Sequence, residues 1–452
     1  MTRAVLEQTI GGQVLAPGDD GYNEARTVWN AMVDRHPRFV VRCSDAADVA
    51  AALRYAREHD LEVGIRCGGH GIVGHAVPDD GLMLDLRPMG GVVVDPMTRR
   101  ARVQGGALLG ALDVAAQEHG LATTAGNVSH TGVGGLTLGG GMGWLARRHG
   151  LSCDNVVSFE VVTADGSIIR ASADEHPELY WALRGGGGNF GVVTEFEFAL
   201  HPEPGRAISA EFHYPAGQAG APMRRWRDLS TTATREATFS ATIGGQDVAL
   251  GLVWVGDPET GAAVIAELDA QLTAVAEPTS RVVEPMSYLE LQTREDDVKG
   301  YTWRRYWKGH YFAVLGDEVI DAVLARDAAD LPNVSLQAYG GAIADVPDEA
   351  TAFSRRDAAF EFVAASLWKD AAEDEARMAA ARRYAGTMDR FASGAYVNVL
   401  GDDGVAGLRR AYSDEKLARL TAVKDEFDPD NVFHLNQNIR PSTGERNAAE
   451  PG

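Results

Sequence analysis

The sequence predicts an α+β protein made of two unlike halves, and three observations support this prediction. Short alternating strands and a few amphipathic helices surround several glycine-rich loops in the first half. Glycine, at 51 of 452 residues, is concentrated in that half. Beyond Pro202 and the Pro204-Gly205 pair, glycine becomes sparse, and strands alternate with acidic helices. A domain boundary is therefore expected at residues 204 and 205.

Composition and charge narrow the classes of function. The length predicts two or three domains. A formal net charge of -22 and a pI near 4.9 argue against nucleic acid or an anionic membrane as a partner. Cys43, Cys67 and Cys153 offer neither a disulfide framework nor a metal-site spacing. With no apolar signal core and no run of 18 apolar residues, a cytoplasmic protein is expected. A homodimer is compatible with the sequence, which does not determine the oligomeric state.

Local patterns predict the elements of the first half. Residues 1–35 are expected to form a mostly polar, helical lead-in. Ser44 or Asp45 can cap a helix that lies between strands at 39–41 and 61–65. The other predicted elements are strands at 82–84, 92–94 and 101–103, a helix at 107–118, a hairpin of 156–162 and 167–170 about Asp165-Gly166, a helix at 177–184 and a strand at 192–200.

The second half is predicted to contain strands at 250–255, 311–315, 335–343 and 360–365. Residues 301–311 interleave aromatic and basic side chains, which fits either the wall of a small-molecule pocket or a packed core. Near the C-terminus, three consecutive amide side chains at 436–438 stand in an apolar segment. Buried amides need partners, so this segment is expected to close over a polar group. Residues 444–452 are expected to be disordered.

One glycine loop, Arg-Cys-Gly-Gly-His-Gly at residues 66–71, follows the strand 61–65. Gly68 and Gly69 allow a tight turn and a close approach of the backbone to a ligand. Arg66 brings a permanent positive charge, and His70 brings a nucleophilic imidazole. Such a loop suits a pyrophosphate-containing cofactor that is held covalently. A glycine turn with an exposed histidine explains these six residues alone equally well.

Two further glycine loops lie downstream. Residues 126–143 contain eight glycines interleaved with apolar and hydroxyl side chains, unlike a flexible linker. Their amides can form anion-binding concavities, which favours a ligand-cradling role over a purely structural turn. Residues 186–191 match Gly-x-Gly-x-x-Gly. A helix precedes this third loop and a strand follows it, whereas the dinucleotide-binding fingerprint requires the reverse order.

Together these stretches resemble the flavin-dependent oxidoreductases of the vanillyl-alcohol oxidase superfamily, in particular the berberine-bridge-enzyme-like branch. The matching pieces run in family order through most of residues 36–443, namely 66–70, 132–144, Asp154-Asn155, the hairpin through Asp165-Gly166, 181–191, and 427–438 with Pro441. The resemblance implies a two-lobed PCMH-type FAD-binding domain over 36–204. It further implies a substrate-binding domain with an antiparallel sheet over 205–400, and a segment over 401–443 that returns to the FAD domain.

The same resemblance implies FAD as the cofactor, with its 8α carbon joined to His70. The other residues that it places near the cofactor are Arg66, Cys67, Gly68, Gly69, Gly71, Val128, Thr131, Gly132, Gly135, Leu138, Gly141, Asp154, Gly191, Val193, Asn436 and Asn438. Doubly linked members carry a cysteine where this chain has Val128, so a single covalent bond is expected. Cys67 and Cys153 are interpreted as small buried residues.

Hydride transfer needs a base beside the donor carbon. Many members carry Tyr-x-Asn-Tyr with a catalytic tyrosine, but the segment 396–399 here keeps only Tyr396 and the asparagine. Gln337 and Tyr339, two residues apart, are expected on one strand face. Glu361, between two phenylalanines, is either a buried base with a raised pKa or a carboxylate on a solvated face. Tyr339 and Tyr396 are equally compatible with packed core rings.

The implied activity is oxidation of an alcohol or a similar carbon–hydrogen donor, such as a benzylic or amine carbon, on a sugar or natural product. Dioxygen would accept the electrons and leave as hydrogen peroxide. The alternative is an oxygenase or oxidative cyclase of a biosynthetic pathway that uses a flavin oxygenated at N5, for which Thr131 is the matching loop threonine. The intact His70 loop disfavours a non-enzymatic flavin binder.

Overall fold

The computed structural model describes residues 3–203, 205–296, 300–325 and 332–442. Pro204, at the expected domain boundary, lies outside the described residues, as do residues 444–452, which were expected to be disordered. Within the described ranges, no helix combines the length and apolarity that a bilayer crossing requires.

The first half of the chain supplies eleven strands and seven helices among its described residues. In chain order they are α1 (Arg3–Thr9), β1 (Gln13–Leu15), α2 (Tyr22–Arg26), β2 (Phe39–Arg42), α3 (Ala46–Glu58), β3 (Val63–Arg66), β4 (Leu82–Asp85), β5 (Val92–Asp95), β6 (Arg100–Gln104), α4 (Leu109–Gln117), β7 (Leu121–Ala122), α5 (Val133–Leu138), α6 (Ala146–His149), β8 (Val156–Val162), β9 (Ile168–Ser172), α7 (Pro177–Leu183), β10 (Val192–Ala199) and β11 (His201–Pro202).

The rest of the described chain continues the series. Its strands and α-helices are β12 (Arg206–Pro215), α8 (Gly220–Thr231), β13 (Ala237–Gly244), β14 (Asp247–Val255), α9 (Pro258–Thr273), β15 (Ser280–Ser287), α10 (Tyr288–Thr293), β16 (Arg304–Phe312), α11 (Asp317–Leu324), β17 (Asn333–Ala338), α12 (Ala342–Asp345), β18 (Phe360–Trp368), α13 (Asp374–Gly386), α14 (Gly404–Ala411) and α15 (Asp414–Phe427). Short 3-10 helices occur at Ser152–Asn155, Ala216–Gln218, Asp348–Ala350, Ala371–Glu373, Asp389–Phe391 and Val397–Val399.

A small four-stranded sheet, in the order β1-β2-β4-β3, begins the fold. β2, β4 and β3 run parallel, and β1 is antiparallel to β2. The Asp45 side chain accepts the Asp48 amide at 2.9 Å and so caps α3, as one of the two predicted caps. Val49 and Leu53 of α3 pack into the core of this sheet. Because β3 ends at Arg66, the sheet delivers the His70 loop at its edge.

A five-stranded antiparallel sheet, in the order β5-β6-β10-β8-β9, forms a second lobe. The predicted hairpin of β8 and β9 is confirmed, and its turn uses Gly166 at a φ of 82°. Phe159, Phe196 and Phe198 are buried in a core shared with α4 and α7. β7 and β11 form a separate two-stranded pairing at the end of this lobe.

A seven-stranded antiparallel sheet, in the order β15-β12-β14-β13-β17-β18-β16, dominates the second half. Phe360 and Phe362 of β18 point to one face, where Trp226 of α8 and Tyr384 of α13 cover them. The opposite face is turned toward the second glycine loop and carries the polar residues described below. The α+β class and the antiparallel sheet of the second half are confirmed.

Three local predictions are wrong. The N-terminal lead-in is not merely helical and polar, because β1 joins the first sheet and Leu6 and Tyr22 are buried. The strand predicted at 335–343 is β17 followed by α12, since Gly340 and Gly341, at φ of 82° and 58°, turn the chain. The strand predicted at 311–315 is the end of β16, which takes up most of the aromatic and basic segment 301–311.

Candidate active site

The loop that carries His70 crosses the second glycine loop at very short range. A Cβ atom on Gly68 would stand 2.2 Å from the Gly132 nitrogen. A Cβ atom on Gly132 would stand 2.2 Å from the Gly68 nitrogen and 2.4 Å from Sγ of Cys67. Neither position therefore tolerates a side chain. In contrast, nothing lies within 4 Å of a Cβ atom on Gly71, so the backbone beside His70 borders open space.

His70 is held by an aromatic ring and by two polar side chains. Its Nε2 lies 2.6 Å from Nδ1 of His130, and its Nδ1 lies 3.3 Å from Oγ1 of Thr131. The Trp29 ring stacks on the imidazole with 4.6 Å between centroids. Burial, together with the charges of His130 and Arg305, lowers the pKa of His70 to about 3. The imidazole is therefore neutral near pH 7 and keeps one nitrogen lone pair.

Arg66 and Cys67 anchor the His70 loop to the protein interior. Nη1 of Arg66 donates to the Ala25 carbonyl at 2.8 Å and lies 3.6 Å from the Asp85 carboxylate. The Cys67 thiol donates to the Ala107 carbonyl at 3.4 Å, and burial raises its pKa. A thiol with a raised pKa is a poor nucleophile. The structure places Cys67 half-buried and Cys153 buried.

The second loop turns polar groups and bare backbone toward open space. Nothing lies within 4 Å of a Cβ atom on Gly135, and Oγ1 of Thr137 is buried without a hydrogen-bond partner among the described residues. The carbonyl of Val128 accepts the Thr131 amide at 3.2 Å and tightens the turn before α5. On the first loop, Gly69 adopts a φ of 70°, which favours glycine.

The far end of the second loop is tied to the third loop and to the second half of the chain. The Leu138 carbonyl accepts the amides of Gly185 and Gly187 at 3.0 and 2.9 Å. The Gly141 amide donates to Oη of Tyr396 at 2.7 Å. The second loop is thereby fixed both by the third loop and by the second half of the chain.

Asn189 joins the third loop to the C-terminal segment. Its Nδ2 donates to the Gln437 carbonyl at 3.2 Å, and its Oδ1 accepts the Ile439 amide at 3.0 Å. Nδ2 of Asn436 donates to a carbonyl of the same loop at 3.2 Å. Oδ1 of Asn436 and Oδ1 of Asn438 are buried without a hydrogen-bond partner among the described residues. The segment thus presents two unsatisfied acceptors.

Three residues that the resemblance placed near the cofactor lie in the packed scaffold. Asp154 pairs with Arg356 at 2.6 and 3.0 Å, and its Oδ2 also accepts the Leu151 amide at 2.9 Å. A Cβ atom on Gly191 would stand 2.5 Å from a side chain of β8. Val193 is 4% exposed within the core of the second lobe. Their side-chain positions are filled by protein contacts.

Four polar side chains meet on the open face of the seven-stranded sheet. Tyr311, Glu361 and Gln337 are register partners on β16, β18 and β17, and opposite residues of paired strands share a face. Tyr339, just beyond β17, donates from its hydroxyl to Oε2 of Glu361 at 2.9 Å and lies 3.3 Å from the Tyr311 hydroxyl. Asn127 of the second loop donates to Oε1 of Gln337 at 3.1 Å. This polar row therefore faces the second glycine loop.

Burial sets the protonation states of the Glu361 carboxyl group and the Tyr339 phenol in this row. Glu361 is 8% exposed, and burial raises the pKa of its carboxyl group to about 7, against the opposing hydrogen bond from Tyr339. The solvated-face alternative for Glu361 is therefore wrong. Burial also raises the pKa of Tyr339 well above its ordinary value, so its phenol stays neutral and donates. Glu361 is the candidate whose pKa lies nearest neutrality.

The hydroxyl group of Tyr396 is bound to the second glycine loop in this geometry. Its Oη accepts from the Gly141 amide and, at 2.8 Å, from Nδ2 of Asn398. Asn398 also donates to the Leu136 carbonyl at 3.1 Å. Burial raises the pKa of Tyr396 above its ordinary value, so the phenol remains neutral. The Tyr-x-Asn pair thus anchors the second loop.

Four residues that contact the predicted site residues were not predicted as site residues from the sequence, namely His130, Asn127, Tyr311 and Trp29. His130 and Asn127 lie inside the second loop, where the glycines are the stronger sequence signal. Tyr311 and Phe312 are neighbours on β16, so their side chains point to opposite faces of the sheet. This alternation predicts the face of Tyr311 once the bounds of the strand are known. Trp29 lies in the N-terminal segment that was interpreted as a lead-in, and no local pattern marks it.

The residues present fit FAD. The unsatisfied acceptors of Asn436 and Asn438 suit the N–H and O–H donors of a flavin and its ribityl chain. The Thr137 hydroxyl is available in the same way. Beside Gly71 and Gly135 the bare backbone leaves room for a pyrophosphate to approach main-chain amides.

Comparison with known families agrees with this geometry. The family described as "FAD binding domain" matches residues 37–172. The family described as "Berberine and berberine like" matches residues 395–440. The two matches include the His70 loop, the second glycine loop and the C-terminal amides, whereas the third glycine loop lies outside both.

Relatives and solved structures extend the match to nearly the whole chain. The (R)-6-hydroxynicotine oxidase of Paenarthrobacter nicotinovorans is 31% identical over 454 residues, which cover 96% of this chain and 97% of that protein. The uncharacterized FAD-linked oxidoreductase YvdP of Bacillus subtilis is 30% identical over 450 residues, or 96% of this chain and 99% of the relative.

The crystal structure of 6-hydroxy-D-nicotine oxidase from Arthrobacter nicotinovorans superposes with a TM-score of 0.86 at 28% identity, covering 98% of this chain and 100% of that one. A xylooligosaccharide oxidase from Myceliophthora thermophila shares the fold, with a TM-score of 0.86 at 24% identity over 97% of this chain and 98% of that one. The chain therefore belongs to the berberine-bridge-enzyme-like, PCMH-type family of FAD-linked oxidoreductases.

Proposed function

We propose that this protein is an FAD-dependent oxidase that takes a hydride from a hydroxyl- or amine-bearing carbon of a small molecule. Dioxygen accepts the electrons and leaves as hydrogen peroxide, and His70 holds the cofactor covalently. The observation that carries the proposal is the buried Glu361–Tyr339 pair on the sheet face opposite the second glycine loop. FAD, when bound, supplies the electron acceptor.

Glu361 is the proposed base. Its raised pKa, about 7, lets it accept a proton from a hydroxyl or ammonium group and release it again near neutral pH. Tyr339 orients the carboxylate by donating to Oε2. Gln337 and Asn127 leave one amide donor and one amide acceptor without partners, which suits them to position a polar substrate group. Tyr396 holds the loop under the substrate.

The covalent link through His70 is supported by the neutral imidazole at the edge of open space. A nucleophilic nitrogen needs an available lone pair, and the lowered pKa of His70 provides it. Val128 replaces the cysteine of doubly linked members, and among the described residues each of the three cysteines is a free, packed thiol. A single link is therefore proposed.

The relatives favour an amine-bearing donor carbon over a sugar hydroxyl. The relative with 31% identity is named for 6-hydroxynicotine, a molecule with a cyclic amine. The xylooligosaccharide oxidase shares only the fold at its lower identity. We also propose that residues 36–204 and 401–443 form the cofactor half and residues 205–400 the substrate half.

An oxygenase or oxidative cyclase is the competing proposal. It depends on Thr131, whose hydroxyl is already within 3.3 Å of the His70 ring. That contact explains the threonine without oxygen chemistry, so no observation favours the alternative. Labelled dioxygen separates the two, because an oxidase leaves the label in peroxide and an oxygenase transfers it to the product.

The test is anaerobic mixing of the yellow holoprotein with a panel of cyclic amines, benzylic alcohols and sugars. The proposal predicts that at least one donor bleaches the visible flavin absorbance, and that admitting air restores it with release of peroxide. Reduction that only an artificial acceptor reverses would identify a dehydrogenase instead. A flavin that no donor in the panel reduces would contradict the proposed donor class.

A further inference from the structure

We propose that His130 and Asp296 form a proton relay that activates His70 for its covalent attachment to the flavin. The inference rests on the covalent link proposed above. It assigns His130 as a positioning residue that accepts a proton from His70, and Asp296 as the group that orients His130. The proposed relay concerns attachment of the flavin and not the oxidation of substrate.

Three side chains lie in a row from the first loop to Asp296, three residues after the end of α10. Nε2 of His70 is 2.6 Å from Nδ1 of His130. Nε2 of His130 is 4.0 Å from Oδ1 of Asp296. Oδ2 of Asp296 accepts from the Ser129 hydroxyl at 2.5 Å, whereas Oδ1 is buried without a hydrogen-bond partner among the described residues. The side of the carboxylate that faces His130 is thus unsatisfied.

We infer the tautomers of both rings from this row. Burial lowers the pKa values of His70 and His130, so a hydrogen bond between two neutral imidazoles needs one donor and one acceptor. A proton on Nε2 of His130 would lie toward the Asp296 carboxylate, which at 4.0 Å attracts it by charge and not through a hydrogen bond. Nδ1 of His130 is then the acceptor, and Nε2 of His70 is the donor. The lone pair of His70 consequently lies on Nδ1, where the only close polar contact described is the 3.3 Å approach of Thr131.

The attachment step balances as follows in atoms and electrons. A bond forms between Nδ1 of His70 and the 8α carbon of FAD, and one C–H bond of that methyl group breaks. The proton on Nε2 of His70 passes to Nδ1 of His130. His130 then releases that proton to solvent. Dioxygen takes up the two electrons of the broken C–H bond together with two protons, which balance the one lost from the methyl group and the one lost from His70, and leaves as hydrogen peroxide. The arrangement of nucleophile, base and orienting carboxylate follows the logic of other activated nucleophiles.

The charges around His130 control when it can accept that proton. Arg305 on β16 and Arg87 after β4 disfavour a charged imidazole, and Asp296 favours it. The neighbouring rings are His70 and Tyr301, with centroids at 4.7 and 6.2 Å. Burial outweighs Asp296, so the pKa of His130 stays below its ordinary value. His130 is therefore neutral near pH 7 and able to accept a proton.

The test uses apoprotein produced in riboflavin-starved cells and then mixed with FAD. Bound FAD is measured after gel filtration, and linked FAD is measured in the acid-precipitated pellet over time. We expect His130→Ala to bind FAD within a fewfold of wild type but to link it about a hundredfold more slowly. Added imidazole should restore much of the rate. His130→Gln, which keeps a polar group, should also be slow, and Asp296→Asn should slow linkage less.

The pH profile separates proton acceptance from mere packing. Wild-type linkage should slow as the pH falls into the acidic range in which His130 becomes protonated, whereas His130→Ala should show a flatter profile. His119→Ala, at an exposed histidine, is the matched control and should behave as wild type.

Two results would overturn the relay. One is linkage at the wild-type rate in His130→Ala. The other is slow linkage in that variant with the wild-type pH profile and no response to imidazole. A wild-type protein that releases all its flavin into the acid supernatant is a different failure, since it overturns the covalent link and the relay with it.

Discussion

Glu361 shares β18 with Phe360 and Phe362, but its carboxylate points the opposite way and is 8% exposed. A carboxyl group in such a place remains partly protonated near neutral pH because burial penalises its charge. The Tyr339 hydroxyl offsets part of that penalty at 2.9 Å. The residue is therefore tuned to change protonation near pH 7, which a solvated glutamate is not.

Glu361→Gln tests this tuning. The base must be deprotonated to act, so kcat/KM of the wild type should rise as the pH increases through about 7. The glutamine variant should lose about 100- to 10,000-fold in kcat/KM and show no rise near that pH. Glu284→Gln, at an exposed glutamate on β15 of the same sheet, is the control. Full activity in Glu361→Gln would exclude Glu361 as the base.

The two-residue alternation of a strand was sufficient to predict which face a side chain occupies. It was not sufficient to predict whether that face is buried, because burial depends on a segment that is distant in sequence. Alternation along β18 places the Glu361 carboxylate opposite the two phenylalanine rings. Whether that face is exposed to solvent depends on the second glycine loop, which covers it. The loop residue Asn127 and its partner Gln337 on the sheet are 210 residues apart in sequence. His130 meets His70 across 60 residues, so no spacing rule reveals the pair.

Helix α10 packs beside α4 and holds the start of the second glycine loop in place. Nε2 of Gln292, which is 1% exposed, donates to Oδ2 of Asp113 and to the Gly126 carbonyl, both at 2.9 Å. The Gln292 carbonyl accepts the Ser129 amide at 3.1 Å. A helix from the second half of the chain thus anchors a loop of the first half.

Asp113→Asn should stabilise the protein above neutral pH. Burial raises the pKa of Asp113 from 3.8 to about 7, so the folded protein binds an extra proton in that range and loses stability as the pH rises through it. Asparagine keeps an acceptor for Gln292 and carries no charge. From pH 4 to pH 8, the unfolding free energy of the variant should gain on the wild type by on the order of 3 kcal/mol.

Urea denaturation at the two pH values measures this difference, with Asp20→Asn at an exposed aspartate as the control. An unchanged difference between pH 4 and pH 8 would show that Asp113 ionises normally.

Element-level prediction followed the strength of local signals. The hairpin of β8 and β9 has both strand alternation and an Asp-Gly turn, and it is confirmed. α3 has a cap and an apolar stripe, and it is confirmed with Asp45 as the cap. β1 is only three residues long and pairs along its length with β2, so its strand character depends on a partner outside its own sequence.

For the whole molecule, buried cations join the two halves. Arg147 of α6 donates to the Ala237 carbonyl at 2.9 Å and to the Tyr339 carbonyl beside the polar row. Arg356, 4% exposed, pairs with Asp154 of the first half. Leaving either charge buried without its partners would be strongly destabilising. These contacts hold the sheet face against the glycine loops, an arrangement that no local pattern predicts and that only the family resemblance suggested.

The most direct test of the central claim is acid precipitation of the purified protein, with absorbance spectra of the pellet and the supernatant. We predict a yellow pellet for the wild type and for His119→Ala, and a colourless pellet for His70→Ala, whose flavin should appear in the supernatant. The flavin in the wild-type pellet should carry one link, because Val128 cannot form a second. Flavin that leaves the wild-type pellet entirely, or stays in that of His70→Ala, would contradict the account.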